Sequence, residues 1–384
     1  LNYSKPSEKW MGSMPLGNGR LGMMVYGGSQ TETIALNEVT LWSGQEDPDA
    51  NNLCGPENLK KMRQAFLDGD LAKGNELGNQ YLSGHGKSFG THLPFGDIKI
   101  HFLNRQGEVT RYQISVSNQQ IDIHGDARFD KNGKGGVKFR GIVRVIPKGG
   151  VVTHDEKSII VKDADEVILL ADVRTDFQQP DYLSVCENSI SKASLQAYPS
   201  LRKKHVEDFS RLFDRMDIDL GVAADVNNDT EQLFADARGG KPSPSFDALF
   251  FQYGRYMLLS SSRENSPLPA NLQGIWNDNL ACNMPWTCDY HLDINIQQNY
   301  WSANIANMEE TNVPLFKYLE LLSKYGHETA RKMYGCDGWV AHTINNVWGD
   351  TAPGGGVSWA MNVTAGAWMA TQLWAHYDFT QDKE

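Results

Sequence analysis

The sequence predicts a multidomain β + α chain: an antiparallel β-sandwich over residues 1–190, a helical linker and loop over 191–245, and a helical domain over 246–384. Three observations predict it. The chain has 384 residues, long enough for two domains or one large one without disulfide or metal staples. Short apolar runs between dense turn signals fill the stretch from Trp10 to about Phe177. After about Ile190 the apolar spacing changes to a period of about 3.6 residues, the mark of helices.

In chain order, the runs Leu21–Val25, Thr33–Leu36, Ile98–Phe102, Val137–Val145, Ser158–Val161 and Val167–Leu170 read as strands. Gly17-Asn18-Gly19, Gly27-Gly28, Asn132-Gly133 and Gly149-Gly150 supply the positive-φ positions that tight reversals need. From Gly135 to Val173 apolar and polar positions alternate over several consecutive runs, as in an antiparallel sheet with one solvated face. The interruption from Glu57 to Leu82 is helical. Phe246, Leu249, Phe250, Tyr253 and Met257 mark one buried helical face. Thr311 and Asn312 are candidate caps for a helix with Pro314 in its first turn and Leu315, Tyr318, Leu319 and Leu322 on its inner face. Ala370, Leu373, Trp374 and Tyr377 face one side of the last helix and Met361, Ala365, Trp368 and Met369 the other, so that helix is expected to be enclosed. Gly221–Ser245, acidic and then rich in Gly, Pro and Ser, reads as a linker or surface loop.

Composition narrows the function. A formal charge of −11 and a pI near 5.4 argue against a nucleic-acid partner, which needs a basic face. No run approaches the roughly 20 apolar residues of a membrane span. The five cysteines (Cys54, Cys186, Cys282, Cys288, Cys336) have no CxxC spacing, so neither a disulfide framework nor a zinc knuckle is indicated. No signal segment precedes Trp10, and no helix stop follows the pattern that reaches Glu384, so both ends are expected to be cut. Eight of the ten tryptophans fall between Trp276 and Trp374; they either fill a core or offer flat faces to sugar rings.

His291-Leu292-Asp293-Ile294-Asn295-Ile296 alternates polar and apolar strictly, which in extended conformation places three polar side chains on one face, neighbours roughly 7 Å apart. Such a face binds sugar hydroxyls or orients a water; the alternative is a half-buried strand with a solvated polar side. With His342 the same face offers a rival, the two-histidine, one-carboxylate ligand order of an iron oxygenase, though that site belongs to β-barrels and the flanks here read as helical. The loop-like runs Pro269–Asp278 and Val347–Gly356 set a Trp beside amides or an Asp, and loops at helix ends are where ligand contacts usually sit. Within them and just before, His342, Asn345, Asn346, Trp348 and Asp350 are candidates for hydrogen bonds and a stacking face. Asp350 reads equally as a turn residue and His342 as a satisfied core histidine.

At these residues the sequence resembles glycoside hydrolase family 95, the inverting α-L-fucosidases and their α-L-galactosidase relatives. The resemblance rests on PLGNGRLGMMVYGG (Pro15–Gly28) with LNEVTLWSG (Leu36–Gly44), on HVEDFSRLFDRMDIDLG (His205–Gly221) and on the run from Tyr253 to Asp278. It continues through NYWSANIANMEE (Asn299–Glu310), Gly338–Gly355 and GAWMATQLWAHYDFT (Gly366–Thr380). It implies that the helical domain is part of an (α/α)6 barrel, and that the protein releases terminal α-L-fucose or L-galactose from glycans, without metal or cofactor, in a secreted or periplasmic location. The family carries His-x-Asn-x-Asn where this chain has His291, Asp293 and Asn295. By resemblance His291 binds sugar hydroxyls, Asp293 and Asn295 hold the attacking water as the catalytic pair, and Trp348, His342 and Asp350 line the sugar site. Asp293 departs from the pattern, because an ionised carboxylate accepts hydrogen bonds but donates none. The family's general-acid Glu and base Asp lie later, and no matching motif occurs before Glu384, so the chain is expected to stop partway through the barrel and to be inactive by itself. The sandwich is also short after Gly107–Tyr112. A catalytically inactive carbohydrate-binding protein and an iron oxygenase built on His291, Asp293 and His342 are the alternatives.

Overall fold

The structure, a computed structural model, describes residues 1, 3–47, 55–84, 89–101, 114–117, 119–127, 136–156, 158–221, 229–241, 243–278, 280–284 and 286–383. Phe102, Asn132-Gly133, Gly107–Tyr112 and Cys54 lie outside them.

Four strands, β1 (Met14–Gly17), β2 (Leu21–Val25), β3 (Thr31–Trp42) and, after two helices, β4 (His92–His101), pair antiparallel in that order. Gly19, at φ 81°, makes the first reversal. The strand read at Thr33–Leu36 is the middle of a much longer one, because the polar Asn37, Glu38 and Thr40 that follow are buried and satisfied. Glu38 Oε1 takes Arg20 at 2.6 Å and its Oε2 accepts from the Thr40 amide at 2.7 Å. The predicted helix at Glu57–Leu82 is two, α1 (Gly55–Leu67) and α2 (Leu71–Tyr81). The break falls at Gly69 (φ 82°), and Asp70 accepts from the Lys73 amide at 2.9 Å as the cap of α2.

The second sheet uses β5 (Ile114–Ser117), β6 (Gln120–Asp126) and β7 (Lys138–Lys148); a separate hairpin follows, β8 (Val151–His154) with β9 (Ile159–Lys162), turned by Gly149 and Gly150. β10 (Glu166–Thr175) completes the sheet in the order β10-β7-β6-β5, all antiparallel. The two sheets face each other. Phe95 of β4 meets Phe139 of β7 edge to face at 5.7 Å, and the hydroxyls of Thr40 and Thr175 are 2.6 Å apart.

Helix α3 (Tyr182–Ser194) runs across the expected boundary at residue 190 and covers the second sheet, burying Cys186 and Ile190 against Ile142. Then come α4 (Tyr198–Phe213), α5 (Thr230–Arg238) and α6 (Pro244–Ser261). The described part of Gly221–Ser245 is thus not only loop, for Asp229 caps α5 through the Glu231 amide at 2.8 Å. The apolar face expected on α6 is also displaced: Phe250 is exposed, and burial concentrates at the far end, in Arg255 and Leu258–Ser261.

A two-residue strand, β11 (Tyr290–His291), leads into α7 (Asn295–Tyr300), α8 (Ser302–Ile305) and α9 (Val313–Thr329). α9 buries Leu315, Tyr318, Leu319 and Leu322 as expected, but Thr311 and Asn312 do not cap it; their side chains bond Met308 and Asn304 instead. After β12 (Ile344–Asn345), α10 (Val357–Ala360) and α11 (Ala365–Thr380) follow. α11 is buried along Ala365, Gly366, Met369 and Gln372 only, and Leu373 and Trp374 are exposed rather than enclosed. The largest core cluster sits on the seam, joining Val39 and Trp42 of the first sheet to Leu259, Ile275, Tyr290, Leu292, Leu315 and Tyr318 of the helical part.

Candidate functional site

The seam core places the site. Tyr290 is fully buried, its ring 4.4 Å from that of Tyr318, and its hydroxyl donates to the Pro269 carbonyl at 3.2 Å. Anchored there, β11 pairs antiparallel with β12, Tyr290 opposite Asn345 and His291 opposite Ile344, and the Leu292 amide donates to Thr343 at 2.7 Å. Two segments that the sequence flags independently, His291–Asn295 and His342–Asp350, are thereby held side by side.

The extended run predicted from His291 to Ile296 does not form. After His291 the chain turns, Ile294 takes φ 154°, and Asn295 is already the first residue of α7. A β-branched residue at that φ is strained. Gln297 fastens the turn by donating from Nε2 to the Leu292 carbonyl at 2.7 Å. Leu292 is buried as expected, but Ile294 is exposed rather than packed beneath, because the turn ends the alternation. Asp293 is exposed and Asn295 half-buried.

His291 has a partner that the alternation does not reveal. Asp289, fully buried, places Oδ1 2.7 Å from His291 Nε2, while Thr287 Oγ1 donates to its Oδ2. The ion-pair contact is close, but Oδ1 makes no well-aligned hydrogen bond. Burial lowers the His291 pKa, but the Asp289 contact and the charges of Asp289 and Asp293 outweigh it, so the imidazole is held above its usual value. The available signal was Asp289-x-His291 itself, since residues two apart in a strand share a face.

His342 sits elsewhere than the resemblance implies. It is fully buried, with Nδ1 2.6 Å from the Thr351 carbonyl and Nε2 2.7 Å from the Tyr334 hydroxyl. Burial depresses its pKa to about 4, against the smaller effect of the Thr351 bond. Both ring nitrogens are therefore used. His342 neither lines a sugar pocket nor joins His291 and Asp293 as an iron ligand; it is a satisfied core histidine. Among the described residues no group of three His, Cys, Asp or Glu side chains is arranged to hold a metal.

Trp348 and Asp350 project from a loop organised by Asn346, whose Oδ1 accepts from the amides of Trp348 (3.1 Å) and Asp350 (3.2 Å) and whose Nδ2 donates to Asp350 Oδ2 at 2.8 Å. Asn345 and Asn346 are both buried, and Asn345 donates from Nδ2 to the His342 carbonyl at 2.7 Å. Burial raises the Asp350 pKa to about 6; the Asn346 bond lowers it and the negative Asp47 and Glu46 add to the rise. Trp348 is half-buried and lines a cavity of about 360 Å³ with Glu46, Asp176, Phe177, Gln178 and Tyr325, between the sandwich and α9. Tyr325 donates to Glu46 there at 3.0 Å. Neither residue stands out in sequence, because they meet only across the seam. The run Pro269–Asp278, expected to hold ligand contacts, is instead largely buried in that seam: Trp276 Nε1 donates to the Leu16 carbonyl at 3.0 Å and Asn277 Nδ2 to that of His92 at 2.9 Å.

Two family models match different parts of the chain. The model of the glycosyl hydrolase family 65 N-terminal domain matches residues 1–116 and 113–180, in two segments that meet just after Gly107–Tyr112. Among curated relatives, "Alpha-L-fucosidase 2" of Arabidopsis thaliana is 28% identical over 480 positions, covering 100% of this chain and 56% of its own length. "Probable alpha-fucosidase A" of Aspergillus niger (strain ATCC MYA-4892 / CBS 513.88 / FGSC A1513) is 26% identical over 451 positions, covering 96% of this chain and 56% of its own length. The chain thus spans little more than half of these relatives. A solved structure, "Putative kojibiose phosphorylase from human microbiome", matches in fold with a TM-score of 0.53 and 9% identity, over 98% of this chain and 56% of the other. The model of the glycosyl hydrolase family 95 catalytic domain matches residues 197–384, the part that contains β11, β12 and every candidate site residue, and places that part of the chain in glycoside hydrolase family 95.

Proposed function

We propose that this chain supplies the sugar-holding and water-holding side of an inverting, metal-independent glycoside hydrolase that releases terminal α-L-fucose or α-L-galactose from glycans. The observation that carries the reading is the pairing of β11 with β12, which sets the family's His-x-x-x-Asn segment beside the Trp348–Asp350 loop. In this reading the helices from α6 onward are part of an (α/α)6 barrel, and the protein meets its glycans in a secreted or periplasmic location.

His291, partly exposed and paired to Asp289, donates to sugar hydroxyls. Asp293 and Asn295 hold the attacking water, the carboxylate as acceptor and the amide as donor and acceptor. Trp348 offers an apolar ring to the C–H face of a sugar, and Asp350, half-buried, accepts from a hydroxyl at the same place. His342 supports the loop from below through Thr351. Inversion further needs an acid on the leaving oxygen and a base on the opposite side, with their carboxyls roughly 6.5–9.5 Å apart.

The test is hydrolysis of activated α-L-fucosides and α-L-galactosides by the whole protein, with NMR of the first-formed sugar. Release of the β-anomer is expected. Retention of configuration overturns the mechanism, and turnover of neither substrate overturns the activity; sugar binding without turnover in the whole protein would establish a carbohydrate-binding protein instead.

A further inference from the structure

Behind His291 lies a buried carboxylate whose effect on the ring's orientation the reading above does not use. The Asp289 side chain has no exposed surface, whereas that of His291 keeps 17%. The Asp289 backbone is fixed too, its carbonyl accepting from the Leu272 amide at 2.9 Å. Tyr290, between the two, points into the core. The His291 ring is therefore approached from inside, at Nε2, and among the described residues nothing hydrogen-bonds its Nδ1.

We propose that Asp289, braced by Thr287, is a positioning residue that fixes the His291 ring with Nε2 inward and presents Nδ1–H outward as a donor to a sugar hydroxyl. The inference rests on the sugar-binding reading of His291. A neutral imidazole bonded to Asp289 through Nε2–H would turn a bare acceptor outward; the charged ring turns out a donor. The buried carboxylate favours the charged ring, as does Asp293 on the following turn. A hydroxyl both gives and accepts a hydrogen bond, so a fixed outward donor selects the orientation of the ligand's oxygen rather than merely its presence.

The experiment follows the His291 imidazole by NMR across pH in the chain itself and, separately, titrates it with free L-fucose. Asp289→Asn is expected to lower the His291 midpoint by about one pH unit or more. Asp289→Ala is expected to weaken L-fucose about tenfold, as His291→Ala does, and Thr287→Val to produce a smaller loss in the same direction. Thr287→Val touches neither partner's charge and so remains informative if Asp289→Ala does not fold. An unmoved midpoint in Asp289→Asn overturns the inference regardless of sugar binding. A loss of L-fucose in His291→Ala but not in Asp289→Ala or Thr287→Val overturns it as well. If the midpoint falls but neither His291→Ala nor Asp289→Ala affects L-fucose, the pairing stands and the sugar-binding reading of His291 is overturned.

Discussion

The indole of Trp42 lies nearly parallel to the ring of Tyr290, with centroids 5.8 Å apart and an interplanar angle of 11°. Trp42 ends the long strand β3 of the first sheet, and Tyr290 opens β11, one residue from His291. Trp348 meets the same indole edge-on at 6.4 Å. One fully buried side chain of the sandwich thus supports both segments of the candidate site, and the sandwich acts as part of the site's foundation.

Removing that side chain leaves a large void on the seam. Trp42→Ala is expected to cost about 3–5 kcal/mol and Trp42→Phe much less, by urea denaturation. The cavity in Trp42→Ala also frees Tyr290 and Trp348, so L-fucose affinity is expected to fall with it. A loss below about 1 kcal/mol would show that the two halves are not packed through Trp42.

Three groups whose pKa burial shifts give opposing pH dependence. His342 and His92 are both depressed to about 4, chiefly by burial, so the unfolded chain takes up their protons first and their contribution to stability is lost as pH falls from about 6.5 towards 4. Asp350 is raised to about 6, so its contribution is fully present below the unfolded carboxyl pKa and is lost as pH rises through about 6. Asp350→Asn removes the term that favours acid. The variant is expected to lose thermal stability more steeply than the parent between about pH 6 and pH 4, the difference reaching about 2 kcal/mol. Parallel melting-temperature profiles would show that Asp350 is not raised.

Asp289 and His291 also predict a non-additive stability cycle. His291→Ala leaves a carboxylate in the core without its cation, at a cost of about 3 kcal/mol, the low end of the range for buried pairs because His291 is partly exposed. Asp289→Asn with His291→Ala removes both charges and is expected to cost less than His291→Ala alone. Urea unfolding of the set tests this; additive single and double changes would mean that the two side chains do not interact.

The switch from strands to helices was legible because it depends on periodicity, a property of neighbours in sequence. Leu21–Val25 and the inner face of α9 are read correctly for that reason. Glu38 and Thr40 hid the second half of β3, since their burial becomes acceptable only once Arg20 arrives from the turn before β2 and Thr175 from β10. The alternation at His291–Ile296 misled because a strained Ile294 and the start of α7 override the period of two. His342 was expected in the sugar site and is held in the core by Tyr334, brought over it by a π-helical turn at Ala330–Tyr334. Beyond its spacing to His291, Asp289 is not marked by sequence alone, since its burial depends on Thr287 and on the Leu272 amide, which the fold brings to it.

Asp293 decides how this chain differs from the amide pattern of its family. It is exposed, on a turn, and one residue before the strained Ile294. An acceptor in that place can hold a water through the water's own hydrogens, leaving Asn295 to give or take the remaining bond. In the proposed water-holding role it is replaceable by the amide of the pattern the chain resembles, and Asp293→Asn in the whole protein is then expected to change kcat for an activated fucoside by less than about tenfold. A general base is not replaceable in that way, because an amide cannot take up the proton, and its loss costs roughly 10²–10⁴-fold. Asp293→Ala, which removes the acceptor altogether, is expected to be worse than Asp293→Asn. The measurement is kcat and KM for both variants across pH. A drop of more than 10²-fold in Asp293→Asn, with loss of the acid limb of the pH profile, would make Asp293 the catalytic carboxylate and overturn its assignment as a water holder.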